Sequence, residues 1–387
     1  MASIYWSIKF RMSRLLNNIR FLIIRNRIQF FIFLAISIVL FAFYGLSNDN
    51  IFDESGSIII NEGKPKTQKM NKVNDFSDID YPQVENLIIS PCHGIFAPEL
   101  NSKIGSDNVD DGNRFSIGLD MDNWLLEPFQ KQSEDHISFF KHLELSLLEL
   151  HNNIGNSALV ISGGYTKDKI EKSESSSYLQ LAENVGFLKN PYFRKNTNIL
   201  IDEFARDSYE NILYSSITFY KRFHKLPNKI TIIGFGFKRE RFLSSHLVTL
   251  GYYSIPNKED DNITLKKLSD TNHVKYIESG PFLPEDNSMS IDEYAIYEKT
   301  FWDDLYKSEN NNALKLFKQN PFGSKGSKLY EKKLKRDPWN KQSLLNSIYT
   351  TDNEILNNLI KIDQLEINDA WNLYNREILP HFPLYQQ

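Results

Sequence analysis

The side chains of this chain that could do chemistry lie in a few short motifs whose types suit the handling of an anion. Ser162-Gly163-Gly164 sets two glycines after a serine. Such a pair can take positive φ and turn consecutive N–H groups toward an anion, or it can be an ordinary tight turn. In Ser173-Glu174-Ser175, Glu174 could bind a hydroxyl or act as a base, although Ser and Glu also cap helices. Glu203 precedes Arg206-Asp207-Ser208-Tyr209-Glu210-Asn211. There Asp207 and Glu210 have capping-box spacing, while Ser208 and Asn211 would share an edge with Glu203. Lys238-Arg239-Glu240-Arg241 brings three cations into four residues, and Ser245-His246 follows. The helix dipole disfavours positive charge at a helix start, so the run makes sense where an anion binds, with Arg241 suited to bidentate contact. The plain alternative is a solvated charge cluster. Glu174, Glu203 and His246 are thus the candidate catalytic groups. His93, Ser162, Gly163, Gly164, Ser208, Asn211, Lys238, Arg239 and Arg241 are the candidate ligand contacts.

Several chemistries lack their residues. The eight histidines are dispersed without an HExxH pattern, and the single Cys92 builds neither a thiolate zinc site nor a disulfide. There is no GxSxG elbow, Walker A loop or GxGxxG fingerprint. No metal ligand set is expected, and no cofactor is identified.

The elements that must position these motifs read as alternating strands and helices. Four continuous apolar runs, at 85–90, 158–162, 198–202 and 229–234, have the character of parallel strands covered on both faces. Amphipathic stretches at 134–151, 173–185, 207–223 and 239–250 separate or follow them. The pattern predicts a Rossmann-like, doubly wound α/β sheet over 84–285, with ligands at the carboxyl ends of its strands. A fifth strand fits 252–255 or 274–278. The stretch 91–133, which holds His93, is too long for an ordinary βα loop, and such insertions at strand ends are commonly functional. Residues 286–387 predict a helical extension, with helices at 292–307 and 353–377.

The N-terminal part is of another kind. Residues 28–46 are nineteen in number, carry no charge, and match the roughly 30 Å hydrocarbon layer as a helix. Residues 1–46 hold six basic and no acidic side chains, which leaves 39 basic and 49 acidic, a net of −10, for the remainder. The positive-inside bias then predicts a cytosolic tail at 1–27, a single-pass type II anchor at 28–46, a tether at 47–83 and a domain across the membrane. An acidic body argues against duplex nucleic acid as a partner. One Asn-x-Thr sequon, at Asn262, is weak support for glycosylation.

The order strand–SGG, Ser173-Glu174, strand–Glu203, Ser208-x-x-Asn211 and strand–Lys238 to Phe242 resembles the SanA/YdcF-like family, the domain of unknown function 218. Cys92-His93-Gly94, Trp124-Leu125, the run ending in Ser244-Ser245-His246, and Asn320-Pro321-Phe322-Gly323 near Arg336-Asp337-Pro338 are similar to its fungal branch. The resemblance covers about 84–256 and reaches more loosely to 340. It implies a Rossmann-like domain behind one N-terminal transmembrane helix, no agreed reaction and no established cofactor. His246 departs from the bacterial pattern, in which a histidine precedes an arginine.

The function expected is that of an endomembrane protein, in the Golgi or endoplasmic reticulum, whose lumenal domain binds an anionic small molecule. A nucleotide, nucleotide-sugar or phospho-sugar fits, with hydrolysis or transfer as the reaction. The alternative is a non-catalytic tethered scaffold.

Overall fold

In the computed structural model the described residues are 83–101, 114–189, 198–253, 271–283 and 289–384. All lie in one compact unit, Asp80–Gln387. The expected cytosolic tail, transmembrane helix, tether and Asn262 sequon lie outside them, apart from residue 83 of the tether. Among the described residues no helix is long and apolar enough to cross a membrane.

The principal sheet is formed by β1 (Asn86–Pro91), β4 (Ser157–Ser162), β5 (Ile199–Asp202), β6 (Lys229–Gly234) and β7 (Val274–Glu278). They pair in parallel in the order β5-β4-β1-β6-β7. This is a doubly wound order, in which the chain starts at the centre and winds to each edge in turn. A two-residue ribbon, β2 (Ile95–Phe96) with β3 (Trp124–Leu125), occupies part of the long insertion. The fifth strand is the one at 274–278.

The central strands β1, β4 and β6 are near-continuous apolar runs because both faces are covered, whereas the edge strand β5 is half-buried over Ile199 to Ile201 and β7 alternates buried Val274 and Tyr276 with Lys275. Alternate residues divide between two cores: Ile88, Leu159, Ile161 and Ile233 enter one, and Leu87, Ile89, Val160, Ile230 and Ile232 the other. Helix α1 (Asp135–Asn152) and α2 (Glu174–Asn184) cover the first face with Phe139, Leu143, Leu147, Tyr178 and Leu181. Helix α3 (Ser208–Phe223) covers the second with Tyr209, Ile212, Leu213 and Ile217. There it is joined by the pieces Arg239–Arg241, Phe242–His246 and Leu247–Thr249, the middle one a wide π turn.

The C-terminal extension enters that second core with Phe317, Phe322, Leu329, Tyr349, Leu359, Tyr374 and Ile378. Its longer helices are α4 (Ile291–Glu309), α5 (Lys328–Lys335), α6 (Glu354–Lys361) and α7 (Ile367–Leu373). The single helix expected at 353–377 is corrected: Leu365 is extended, and Lys325 bridges to Glu366 at the break. The chain leaves the helix where Asp363 turns inward to meet buried cations.

Those cations form a network at the start of α3. Arg206 makes a fork onto Glu210, with Nε to Oε2 at 3.0 Å and Nη2 to Oε1 at 2.6 Å, and Nη2 also reaches Asp363 at 2.7 Å. Lys333, fully buried, lies 3.1 Å from Glu210, 3.5 Å from Asp363 and 3.7 Å from Asp207, and donates to the Phe322 carbonyl. Burial pushes Asp207 up, with Lys333 the chief opposing influence. Glu210 resists burial because Arg206 and Lys333 hold it near 2.

Removing one partner of such a network strands the rest without compensation, which generally costs about 3–5 kcal/mol. Lys333→Met should therefore lose stability on that scale in urea denaturation. A loss below about 1 kcal/mol would mean that the network contributes little to holding the extension.

Candidate functional site

The sheet order puts its switch point between β1 and β6, where crossovers leave for opposite faces, and doubly wound sheets take ligands in the crevice outside those carboxyl ends. From β1 the chain runs into Cys92 and His93, and from β6 into Phe235 and Lys238. The His93 ring stacks on Phe235, with centroids 5.3 Å apart and planes 27° apart, and His142 stands edge-on to His93 at 5.9 Å. His142 Nε2 lies 2.8 Å from the Ser279 carbonyl, so that nitrogen donates, and burial drops its pKa to about 4. Burial, then Lys238 and His142, hold His93 well below the ordinary histidine range. Its Nε2 is buried without a hydrogen-bond partner. Together they make a wall of uncharged rings.

Lys238 stands on this wall, with Nζ 4.8 Å from the centre of Phe235 and 5.6 Å from that of Phe237. Burial lowers its pKa to about 7; Arg241 and Arg336 push the same way, and Glu309 and Asp135 pull back. Among the described residues no carboxylate lies within ion-pair distance of it. Arg241 is also directed inward, its Nε 3.3 Å from Glu309 Oε1 and its guanidinium over Phe317. Arg239 departs from the expected cluster: its Nη1 binds Glu278 at 3.2 Å and the Tyr276 carbonyl at 3.3 Å, on the outer strand.

Two further cations come from the extension, where sequence reasoning had not placed them. Arg336 donates from Nη1 to the Arg206 carbonyl at 2.9 Å, and its charge acts on His93, Glu174 and Lys238. Lys332 is held below the usual lysine range by burial, then by Arg336 and Arg241. The Arg336-Asp337-Pro338 motif was the available signal, but nothing local tied it to the sheet. Next to it, Trp339 Nε1 donates to the Lys167 carbonyl and Gln342 Nε2 to that of Phe204, at 2.8 and 2.7 Å. The extension therefore rims the carboxyl edge.

The expected anion cradle at Ser162-Gly163-Gly164 needs correction. Gly163 N–H donates to the Asp202 carbonyl and Gly164 N–H to that of Ala205, at 3.0 and 2.8 Å, so neither is directed at a ligand. Neither glycine has positive φ. They are needed instead for close approach: a Cβ on Gly163 would lie 2.7 Å from Cys92 Cβ and 2.9 Å from Glu174 Oε2, and one on Gly164 would lie 2.8 Å from the Ala205 carbonyl oxygen. Ser162 and Asn211 are likewise committed inside the protein. Ser162 Oγ donates to Asp202 at 2.6 Å, and Asn211 Nδ2 reaches Ser162 Oγ and O at 2.9 and 3.0 Å.

Of the candidate acids, Glu174 is the one on which Lys238 and Arg336 act. It is buried, accepts from Thr166 Oγ1, and is pushed up by burial against the pull of Lys167, Arg336 and Lys238. Glu203 accepts from Ser173 Oγ at 2.7 Å and Tyr165 OH at 3.2 Å.

Ser208 and His246, far apart in sequence, are hydrogen-bonded, with Oγ 2.8 Å from Nε2. His246 is fully buried, packs against Phe317 at 4.5 Å and Phe242 at 5.4 Å, and is held well below the usual range by burial, Arg241 and Lys333. Among the described residues no group of three His, Cys, Asp or Glu side chains could hold a metal ion.

The geometry can be set against known proteins. The chain is 30% identical over 288 residues to the uncharacterized protein YOR238W of Saccharomyces cerevisiae, covering 66% of this chain and 84% of that one. No protein-family model matches the chain, and no solved structure does.

Lys238 generates a test with a defined sign. Its folded pKa lies below the unfolded value, so the charged form is penalised in the fold below about pH 7, and the penalty is relieved as pH rises from there toward 10.5. Lys238→Met should be more stable than wild type at pH 6 by urea denaturation, and the difference should shrink by pH 9. Equal stability at both values would mean that the ammonium is well solvated.

Proposed function

The chain belongs to the family of the yeast protein YOR238W, and we propose that its α/β domain binds an anionic small molecule at the carboxyl ends of β1 and β6. A nucleotide, nucleotide-sugar or phospho-sugar has the required charge. The observation that carries the reading is Lys238, set on aromatic faces, without a carboxylate contact among the described residues, and under the charges of Arg241 and Arg336. In a chain of net charge −4, cations that repel one another at a ligand-binding edge call for an anion. The ring pair of His93 and Phe235 offers a base or sugar a face, and Glu174, its pKa raised, is suited to proton transfer. Hydrolysis or transfer of the bound phosphate group is the chemistry these residues favour. The order of motifs supports a relation to the SanA/YdcF-like family.

We further infer that residues 28–46 anchor this domain, with the N-terminus cytosolic and the domain in the lumen of the Golgi or endoplasmic reticulum. Nineteen uncharged residues after a basic segment support it. On intact microsomes, protease should spare a C-terminal tag until detergent is added; digestion without detergent would reverse the orientation.

The ligand reading is tested by thermal shift against nucleotides and sugar phosphates. A ligand at 100 times its Kd should stabilise by about 2.7 kcal/mol. Lys238→Met and Arg336→Ala should each lose most of that shift. Affinity should weaken roughly tenfold per pH unit above about pH 7, because the ammonium that the anion requires loses its proton there. If no phosphate-bearing compound shifts the wild type, the reading fails.

A further inference from the structure

We propose that Ser208 and His246 form a nucleophile–base pair that attacks the phosphorus of a phosphoester bound in this crevice. The proposal rests on the anion-binding reading above and adds the reacting atoms and the substrate class.

Three observations meet here. The 2.8 Å contact between Ser208 Oγ and His246 Nε2 is the distance at which a serine can give up its proton to an imidazole. His246 Nδ1 is buried with no hydrogen-bond partner. Among the described residues no acceptor holds that nitrogen and no carboxylate completes a triad, so the pair stands as a dyad. The π turn Phe242–His246 widens the backbone just before His246 and resets the helical register of that residue; such turns are rare and recur at functional sites.

The surroundings specify phosphorus as the electrophile. Ser208 is the first residue of the sixteen-residue helix α3. Two residues earlier, the Arg206 carbonyl is held by Arg336, and the charge of Arg241 acts on His246. Ser208 is half-buried and His246 lies behind it, caged by Phe317, Phe242 and Tyr209. With Arg336 bonded two residues before the serine and the charge of Arg241 acting on its histidine, the surroundings suit a reaction in which negative charge sits on phosphoryl oxygens.

The step balances as follows. Ser208 Oγ bonds to phosphorus, its proton passes to His246 Nε2, and the ester P–O bond breaks toward the leaving alkoxide. The alkoxide takes the proton from Nε2 and departs as an alcohol. Water then attacks the phosphoserine, gives one proton to Nε2, and breaks the Ser208 Oγ–P bond. Oγ recovers that proton, so ester and water become alcohol and phosphate with the enzyme unchanged.

The test uses the full chain in detergent with a fluorophosphonate, whose phosphorus accepts a serine and expels fluoride. Peptide mass mapping should find the adduct on Ser208 and none in Ser208→Ala. His246→Phe, which keeps the ring packing against Phe317, should label roughly 100-fold more slowly. Inorganic phosphate or AMP should slow wild-type labelling. No adduct on Ser208 in wild type overturns the proposal, and this reading needs no variant to fold. Labelling of a folded His246→Phe protein at the wild-type rate overturns the base role. If phosphate compounds give thermal shifts but Ser208 stays unlabelled, the dyad fails and the binding reading stands. Labelling unaffected by phosphate or AMP at any concentration overturns the assignment of the dyad to a phosphate site.

Discussion

The buried ion network at the start of α3 is the constraint on which the rest of the arrangement depends. Arg206, Glu210 and Asp207 belong to the sheet domain, while Lys333 and Asp363 belong to the extension, and each cation contacts carboxylates from both. Taking these charges out of water is unfavourable unless each finds its partners, so the network specifies how the extension seats rather than simply adding stability. Three residues beyond Lys333 is Arg336, which binds the Arg206 carbonyl. Two residues beyond Arg206 is Ser208. A single buried contact set therefore fixes both the rim of the crevice and its hydroxyl.

The network and the crevice make opposite use of charge. In the first, cations are matched by carboxylates at 2.6–3.7 Å. In the second, Lys238 rests on two phenyl rings, and Arg241 has one carboxylate, Glu309, at 3.3 Å. Cation–π contact recovers only part of the hydration an ammonium loses, on the order of 0.5–2 kcal/mol. An anion arriving there gains from charge already desolvated and held in place, with little reorganisation left to perform.

The sheet was legible because a strand covered on both faces reads as a near-continuous apolar run, and 85–90, 158–162, 198–202 and 229–234 each centre on one. The two-glycine turn was misread for a reason equally physical: glycine permits positive φ, but it also permits contact with a neighbouring backbone, and Gly164 against the Ala205 carbonyl is of the second kind. The broken helix at 353–377 and the inward turn of Arg336 depend on partners more than a hundred residues away, and no local period announces them. Arg239 illustrates the same limit. Its charge is the one expected, but its position after the turn directs it to Glu278.

The sequence singles out Ser208 as a ligand contact and His246 as a catalytic candidate, but nothing local joins the two. Their juxtaposition follows from the doubly wound order. β5 leads into α3 and β6 into the Phe242–His246 turn, and both lie on one face of the sheet because the winding reverses at β1. Helix α3 and this turn are neighbours packed in one core on that face. A serine and a histidine on these two elements are thereby brought to hydrogen-bond distance. The proposed pair thus comes from separate crossovers, which explains why no contiguous motif in the chain describes it.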